Sequence, residues 1–339
     1  MHSTGRTFRT LTGALLLSVA IALSAHAGGK FDNIKIPGAT ATIVTDALAV
    51  TEGSDRYFVA GYYIDGEGSA HAFLGTPDDG LETFDPPDSV ETVPGCLVAG
   101  LAVGGYYKTS EGKYRGFIYN TIRKKFKTFD VDGSDTLALD CNDKEAIVGA
   151  FRNGAFDAPY SRTKQGEVTK FDVPGATKGA RAEAINDKGA IAGNYFDDAG
   201  SHGFQRDRDG TVTPVSCPDF TLSFAWDINN KGTIAGGCGD TIISTHGFVK
   251  APGEDAIVFD VPSAKNTQAY GINAAGDATG SYNLPDGSGH GFIRKKNGHI
   301  VTFDVPKANG TFPQSIDDTG FIGGIFFDNK GEHGFVRKP

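Results

Sequence analysis

Apolar and polar positions alternate along this chain in short runs of about five residues, and the runs are separated by Asp-x-Gly and Asn-x-x-Gly turns. Period-2 alternation broken at such intervals is the pattern of β-strands joined by hairpins, with Gly supplying the positive φ that the turns need. The stretch from Arg181 to Val215 is the clearest case. Arg181–Asn186 leads into the turn Asp187-Lys188-Gly189, and Ala190–Tyr195 follows. The turn Asp197–Gly200 leads to His202–Gln205, then Asp207–Gly210 to a last strand that opens at Thr211. This predicts four β-segments.

The same set recurs at a fixed period. An aromatic ending a small-x-aromatic element stands at Phe73, Phe117, Tyr160, Phe204, Phe248, Phe292 and Phe335, in steps of 43 or 44 residues. A glycine ladder at Gly61, Gly105, Gly149, Gly193, Gly236, Gly280 and Gly323 has the same steps. A third ladder is Phe-Asp, at Phe31, Phe84, Phe129, Phe171, Phe259 and Phe303, with Val215-Ser216 filling the gap. Four strands per roughly 44 residues is the blade of a β-propeller. The expected fold is therefore all-β, a seven-bladed β-propeller of four-stranded blades.

The two ends of the repeat array complement each other. Phe31–Ile36 reads as a lone outer strand before the first full set, and the seventh set stops at His333–Arg337 without that strand. The N-terminal strand is expected to complete the last blade and close the ring, which removes the free edges of an open solenoid.

These repeats resemble the HAF-type repeats of bacterial extracellular proteins. The His-Ala-Phe element is literal at His71-Ala72-Phe73 and recurs as His-Gly-Phe at His202, His246, His290 and His333. Ile185-Asn186-Asp187-x-Gly189 and Asp172-Val173-Pro174-Gly175-Ala176 fit the same group, while Arg115-Gly116-Phe117 and Ala158-Pro159-Tyr160 depart from it. The resemblance implies fold and compartment, and no activity.

The compartment is also written at the start. Arg6 and Arg9 precede the apolar run Leu11–Ala25, which ends in Ala25-His26-Ala27, the small-x-small pattern of a signal peptidase site. A run of this length falls short of the ~20 residues that span a bilayer. Residues 1–27 are expected to be a signal peptide and 28–339 a single domain, secreted or periplasmic, with no membrane span after cleavage. The chain carries a formal charge of −9, and the leader would remove two arginines and no acid. That balance argues against a nucleic-acid partner.

Four cysteines in an exported chain are expected to form two disulfides. Cys217 and Cys238 both replace repeat residues and pair best with each other, which leaves Cys96 with Cys141 on neighbouring inner strands. The repeated histidines radiate around a ring and do not converge, so no metal site is expected. Each imidazole is expected to bridge backbone groups or pack beside the following Gly. No cofactor is expected. Acidic turns such as Asp197-Asp198 and Asp328-Asn329 offer oxygen ligands for Ca²⁺, yet none matches a full calcium loop.

The first strand of each unit should line the channel. Small residues recur at Ala182, Ala225, Ala269 and Pro313, and the positions flanking them vary: Arg181 and Glu183, Phe224 and Trp226, Gln268 and Tyr270, Phe312 and Gln314. One strand face carries all eight. Aromatic rings beside Arg, Glu and Gln suit a glycan, a peptide or a protein partner at the channel mouth. Serine-nucleophile, zinc-protease and phosphate-loop motifs are all missing. Glu183 with Asp227 or Asp140 is the one carboxylate pair that a glycoside hydrolase or lyase could use. The expected function is an exported binding or scaffold module. A carbohydrate-active enzyme and a purely structural cell-surface protein are the alternatives.

Overall fold

The computed structural model describes residues 25–26, 29–98 and 102–339. The expected signal peptide lies outside the described residues apart from positions 25 and 26. Every regular element among the described residues is a β-strand.

The strands fall into antiparallel sets of four that match the repeat. Unit 1 comprises Ala41–Ala49, Tyr57–Ile64, Ala70–Thr76 and Gly80–Phe84. Unit 2 comprises Ser89–Val98, Ala102–Thr109, Tyr114–Asn120 and Lys125–Phe129. Unit 3 has Thr136–Cys141, Ile147–Asn153, Phe156–Arg162 and Val168–Lys170. Unit 4 has Ala180–Ile185, Ile191–Phe196, Ser201–Arg206 and Val212–Val215. Leu222–Ile228, Ile234–Thr241, Ser244–Lys250 and Ile257–Phe259 form unit 5. Asn266–Ile272, Ala278–Asn283, Gly289–Arg294 and Ile300–Phe303 form unit 6. Unit 7 has Gly310–Ile316, Ile322–Asp328 and Gly331–Arg337, and Phe31–Ile34 pairs antiparallel with its third strand. Each first strand lies against the first strand of the next unit, and Gly310–Ile316 lies against Ala41–Ala49.

Every first strand carries a one-residue bulge at the same place. The register against the second strand slips at Thr45, Gly95, Leu139, Glu183, Trp226, Tyr270 and Gln314. The bulge explains the glycine ladder. A Cβ on Gly61, Gly149, Gly193, Gly236 or Gly280 would run into the carbonyl oxygen two residues before the bulge, and on four of the five into the third-strand Phe or the bulged backbone as well. In unit 7 the equivalent glycine is Gly324, opposite Pro313 and facing Phe312 O, and the expected Gly323 is its neighbour.

The Phe-Asp ladder glues one unit to the next. Phe84, Phe129, Phe171, Phe259 and Phe303 each meet the third-strand aromatic of the following unit edge-on, at 5.8–6.4 Å between ring centroids. Arg162, Arg206, Arg294 and Arg337 stack on Phe129, Phe171, Phe259 and Phe303 at 4.6–5.2 Å. Burying one such ring contributes about 1.5–3 kcal/mol, and the edge-on geometry adds about 0.5–1.5 kcal/mol. The glycine before the third-strand aromatic admits this ring: a Cβ on Gly116, Gly247 or Gly291 would strike Phe129, Phe259 or Phe303.

Phe31 does not belong to this ladder. The residue opposite the His-Gly-Phe glycine is Phe303 against Gly291 and Phe259 against Gly247, and against Gly334 it is Ile34. Ile34 packs with Val44, Phe73 and Val336, among residues of units 1 and 7. The Phe31-Asp32 dipeptide matches the ladder by composition and misses it by three positions.

Both disulfides form as expected and both cross between units. Cys96–Cys141 joins the first strands of units 2 and 3, with Cα atoms 5.6 Å apart. Cys217–Cys238 joins the segment after the outer strand of unit 4 to the second strand of unit 5, at 6.3 Å. Gly104 leaves the space that the Cys96 and Cys141 sulfurs occupy.

Candidate functional site

The first strands start at one end of the molecule, together with the hairpins that join second to third strands. A β-bulge re-aims the extra side chain, and here it does so for four of the expected site residues, Glu183, Trp226, Tyr270 and Gln314. Trp226 anchors a group on the first strands. Its ring stacks on Phe224 at 5.7 Å with 8° between planes, and it lies 6.1 Å from Tyr270. Its indole N–H donates to Gln268 Oε1 at 3.1 Å. The structure therefore brings Phe224, Trp226, Gln268 and Tyr270 together from units 5 and 6. Burial raises the Tyr270 hydroxyl above its ordinary range, against a hydrogen bond with Ser281.

The other expected residues stand apart from that group. Phe312 meets Phe327 edge-on at 5.6 Å, and Gln314 is exposed. Arg181 is claimed by Asp157, which accepts from its Nε at 2.9 Å and its Nη2 at 2.6 Å, and Arg152 approaches the same carboxylate at 3.3 Å. These three belong to a cleft of about 330 Å³ that Glu91, Tyr106 and Tyr114 also line. Burial pushes the Glu183 carboxyl up, and the Arg181 charge and the Asn194 amide pull it back.

Asp140 and Asp227 serve as clasps between first strands. Asp227 accepts the Ile228 N–H at 2.7 Å and, from the next unit, the Ile272 N–H at 2.7 Å. Asp140 accepts Ile185 N–H at 2.8 Å. Asp46 stands at the same position and accepts from Ala47 at 2.8 Å and Leu97 at 3.2 Å. Burial, offset by these bonds, lifts Asp46 to about 7 and Asp227 to about 6, and Asp140 well above its usual value. Asp46 escaped the sequence reading because the longer first hairpin of unit 1 hides its equivalence.

At the opposite end, the Ile-Asn-Asp-x-Gly motif acquires a role. Asn186 Oδ1 accepts the N–H groups of Lys188 and Ala190, each at 3.0 Å, and closes its own turn. Its Nδ2 donates to Asn229 O at 2.9 Å in the next unit. The relay runs Asn142 to Asn186, Asn186 to Asn229, Asn229 to Asn273 and Asn273 to Asp317. Asp317 has no amide to donate, and instead accepts the Ala49 N–H at 2.8 Å.

The repeated histidines bind carboxylates where backbone groups were expected. His71, His246 and His290 engage Asp85, Asp260 and Asp304 of the Phe-Asp elements through Nδ1 at 2.8–2.9 Å. His202 and His333 engage Asp197 and Asp328 through Nε2 at 3.0 Å. Arg115 replaces the histidine in unit 2 and bonds Asp130 at 2.7 Å. Asp197 and Asp328, named as oxygen donors for Ca²⁺, thus each have an imidazole partner. Among the described residues no group of three or more His, Cys, Asp or Glu is arranged to hold a metal ion, and no helix is long and apolar enough to cross a membrane.

No family model and no curated relative matches this chain. Solved structures do. Virginiamycin B lyase from Staphylococcus aureus superimposes with a TM-score of 0.60 at 12% identity, over 92% of this chain and 100% of that one. The β-propeller domain of the Trilobed protease from Pyrococcus furiosus gives 0.59 at 9%, over 88% and 94%. YCF48 bound to D1 peptide gives 0.54 at 11%, over 94% and 97%. With the four-stranded units and their neighbouring first strands, these likenesses define the class: the fold is a β-propeller.

Proposed function

We propose that this chain is an exported seven-bladed propeller that binds a peptide or protein segment on the face where its first strands begin. The closed ring is supported by Ile34, which fills between units 7 and 1 the place that Phe303 fills between units 6 and 7. Export is supported by the two disulfides, which persist in oxidising compartments.

The observation that carries the binding reading is the concentration of apolar groups at one end. The Phe224, Trp226 and Tyr270 rings stand on the first strands that begin there. The hairpins of the same face expose Ile242 at 73%, Ile243 at 66%, Phe156 at 46% and Phe327 at 37%. Arg152 and Arg181 line a cleft with Tyr106 and Tyr114, and aromatic side chains beside arginines are the composition of protein-recognition surfaces. YCF48, whose fold is similar, was solved with a peptide bound.

The test is an array of immobilised peptides and oligosaccharides probed with the purified protein. Retention by peptides, weakened about tenfold or more in Tyr270→Ser, is the expected result. Retention by oligosaccharides alone, or retention that Tyr270→Ser leaves unchanged, overturns the reading.

A further inference from the structure

The opposite end of the molecule holds a cleft of about 500 Å³ between units 3 and 4, within the roughly 300–1,000 Å³ range of small-ligand clefts. It is formed by the turns after the first and third strands of both units. Six cations line it: Lys144, Arg162, Lys164, Lys188, Arg206 and Arg208. This is a concentration of positive charge in a chain whose net charge is −9.

Little within the fold neutralises these charges. Among the described residues only Lys164 has a carboxylate partner, Glu145 at 2.7 Å. Asp187 is the sole acidic side chain lining the cleft. Its two oxygens are already taken, by the Asp143 N–H at 2.9 Å and by Asn230 Nδ2 at 2.7 Å. Asp209 stands near Arg206, with its carboxyl held down first by the Thr211 N–H. Arg162 is only 3% exposed, and its guanidinium lies over Phe129 and donates to Thr163 O at 3.1 Å. Arg206 lies over Phe171, and its buried Nε has no partner, which it shares with the equivalent Arg294 and Arg337. A buried guanidinium without a carboxylate is costly unless a ligand supplies the counter-charge.

The equivalent cleft between units 7 and 1 shows that the fold does not demand this charge. There three acidic side chains, Glu52, Asp55 and Asp318, line the cleft beside the three cations Lys30, Arg337 and Lys338. The excess between units 3 and 4 is absent from that cleft.

We propose that this cleft binds an acidic oligosaccharide, a sugar chain bearing carboxylate groups. The arginine fork matches a carboxylate in a bidentate way. Ser161, Thr163, Gln165 and Thr169 line the same cleft with hydroxyl and amide groups that match sugar hydroxyls. The concave shape and the net negative charge of the whole chain disfavour a membrane surface or a nucleic acid.

The experiment is titration calorimetry of the purified protein with a trigalacturonate, against the neutral trigalactose, inorganic phosphate and phosphatidylglycerol vesicles. The expected result is saturable, salt-weakened binding of the trigalacturonate only. It should fall about tenfold or more in the double variant Lys188→Glu, Arg208→Glu, whose residues are both exposed. Tyr270→Ser, on the other face, should leave it unchanged, so that failure here and failure of the peptide reading are separate. No binding of the acidic sugar, binding that the double variant retains, or equal binding of phosphate or vesicles overturns the proposal.

Discussion

Replacing Asn229 by Ala removes one link of the amide relay and exposes how much that relay contributes. Asn229 is 6% exposed and its side chain makes three hydrogen bonds. Nδ2 donates to Asn273 O at 2.9 Å, and Oδ1 accepts the N–H groups of Lys231 and Thr233, each at 3.0 Å. A net 0.5–1.5 kcal/mol per bond gives a loss of about 3 kcal/mol, and the buried groups left without partners push the figure upward. Urea unfolding followed by far-UV circular dichroism measures it, with a lower midpoint and an unchanged slope. Asn229→Asp sharpens the test, because it keeps the acceptor for Lys231 and Thr233 and turns a carboxylate toward the Asn273 carbonyl. That variant should be destabilised at pH 7 and recover part of its stability at pH 4, where a protonated carboxyl donates again. A loss below about 1 kcal/mol for Asn229→Ala would refute the reasoning.

Other outcomes follow from the same structure. Asp46 titrates near 7 when folded against 3.8 for an ordinary aspartate, so the folded chain holds the proton more tightly. Its contribution to stability is present at acidic pH and is lost as pH rises from about 4 through about 7; Asp46→Asn should flatten that slope in unfolding curves recorded across the window. The carboxylates that are held down, such as Asp197 by His202 and Asp328 first by the Lys330 N–H and then by His333, act in the opposite sense and below that window. Removing Cys96–Cys141, 45 residues apart, should cost about 4 kcal/mol, and removing Cys217–Cys238, 21 apart, about 3 kcal/mol, read as urea midpoints of double alanine variants. Gly149→Ala should fail to yield folded protein at 37 °C, because its Cβ would enter the Leu137 carbonyl oxygen; native-like thermal unfolding of that variant would contradict the role assigned to the bulge.

The repeat was legible because packing between units demands the same residue at the same place, and both cysteine pairs were legible as departures from it. The bulge was silent, since an extra residue present in every unit leaves the period unchanged. It nevertheless decides the site: Trp226 and Tyr270 face their neighbours because each is the inserted residue. Phe31 misled through a local match, although Ile36-Pro37-Gly38-Ala39 set beside Val173-Pro174-Gly175-Ala176 carries the correct register. The eight residues expected to form one surface divide in space, because Arg181 finds Asp157 on the second-to-third-strand side of unit 3, a contact across 24 residues. The basic cleft could not be read at all, since its six cations come from four separate turns of two units.

The binding reading rests on the group around Trp226, the only tryptophan in the chain. Its emission, excited near 295 nm, reports on that group alone. Titration with a peptide retained on the array should shift the emission saturably, with the midpoint displaced in Gln268→Ala, which removes the acceptor of the indole N–H. A peptide that binds while the emission stays flat would place recognition elsewhere and contradict the account.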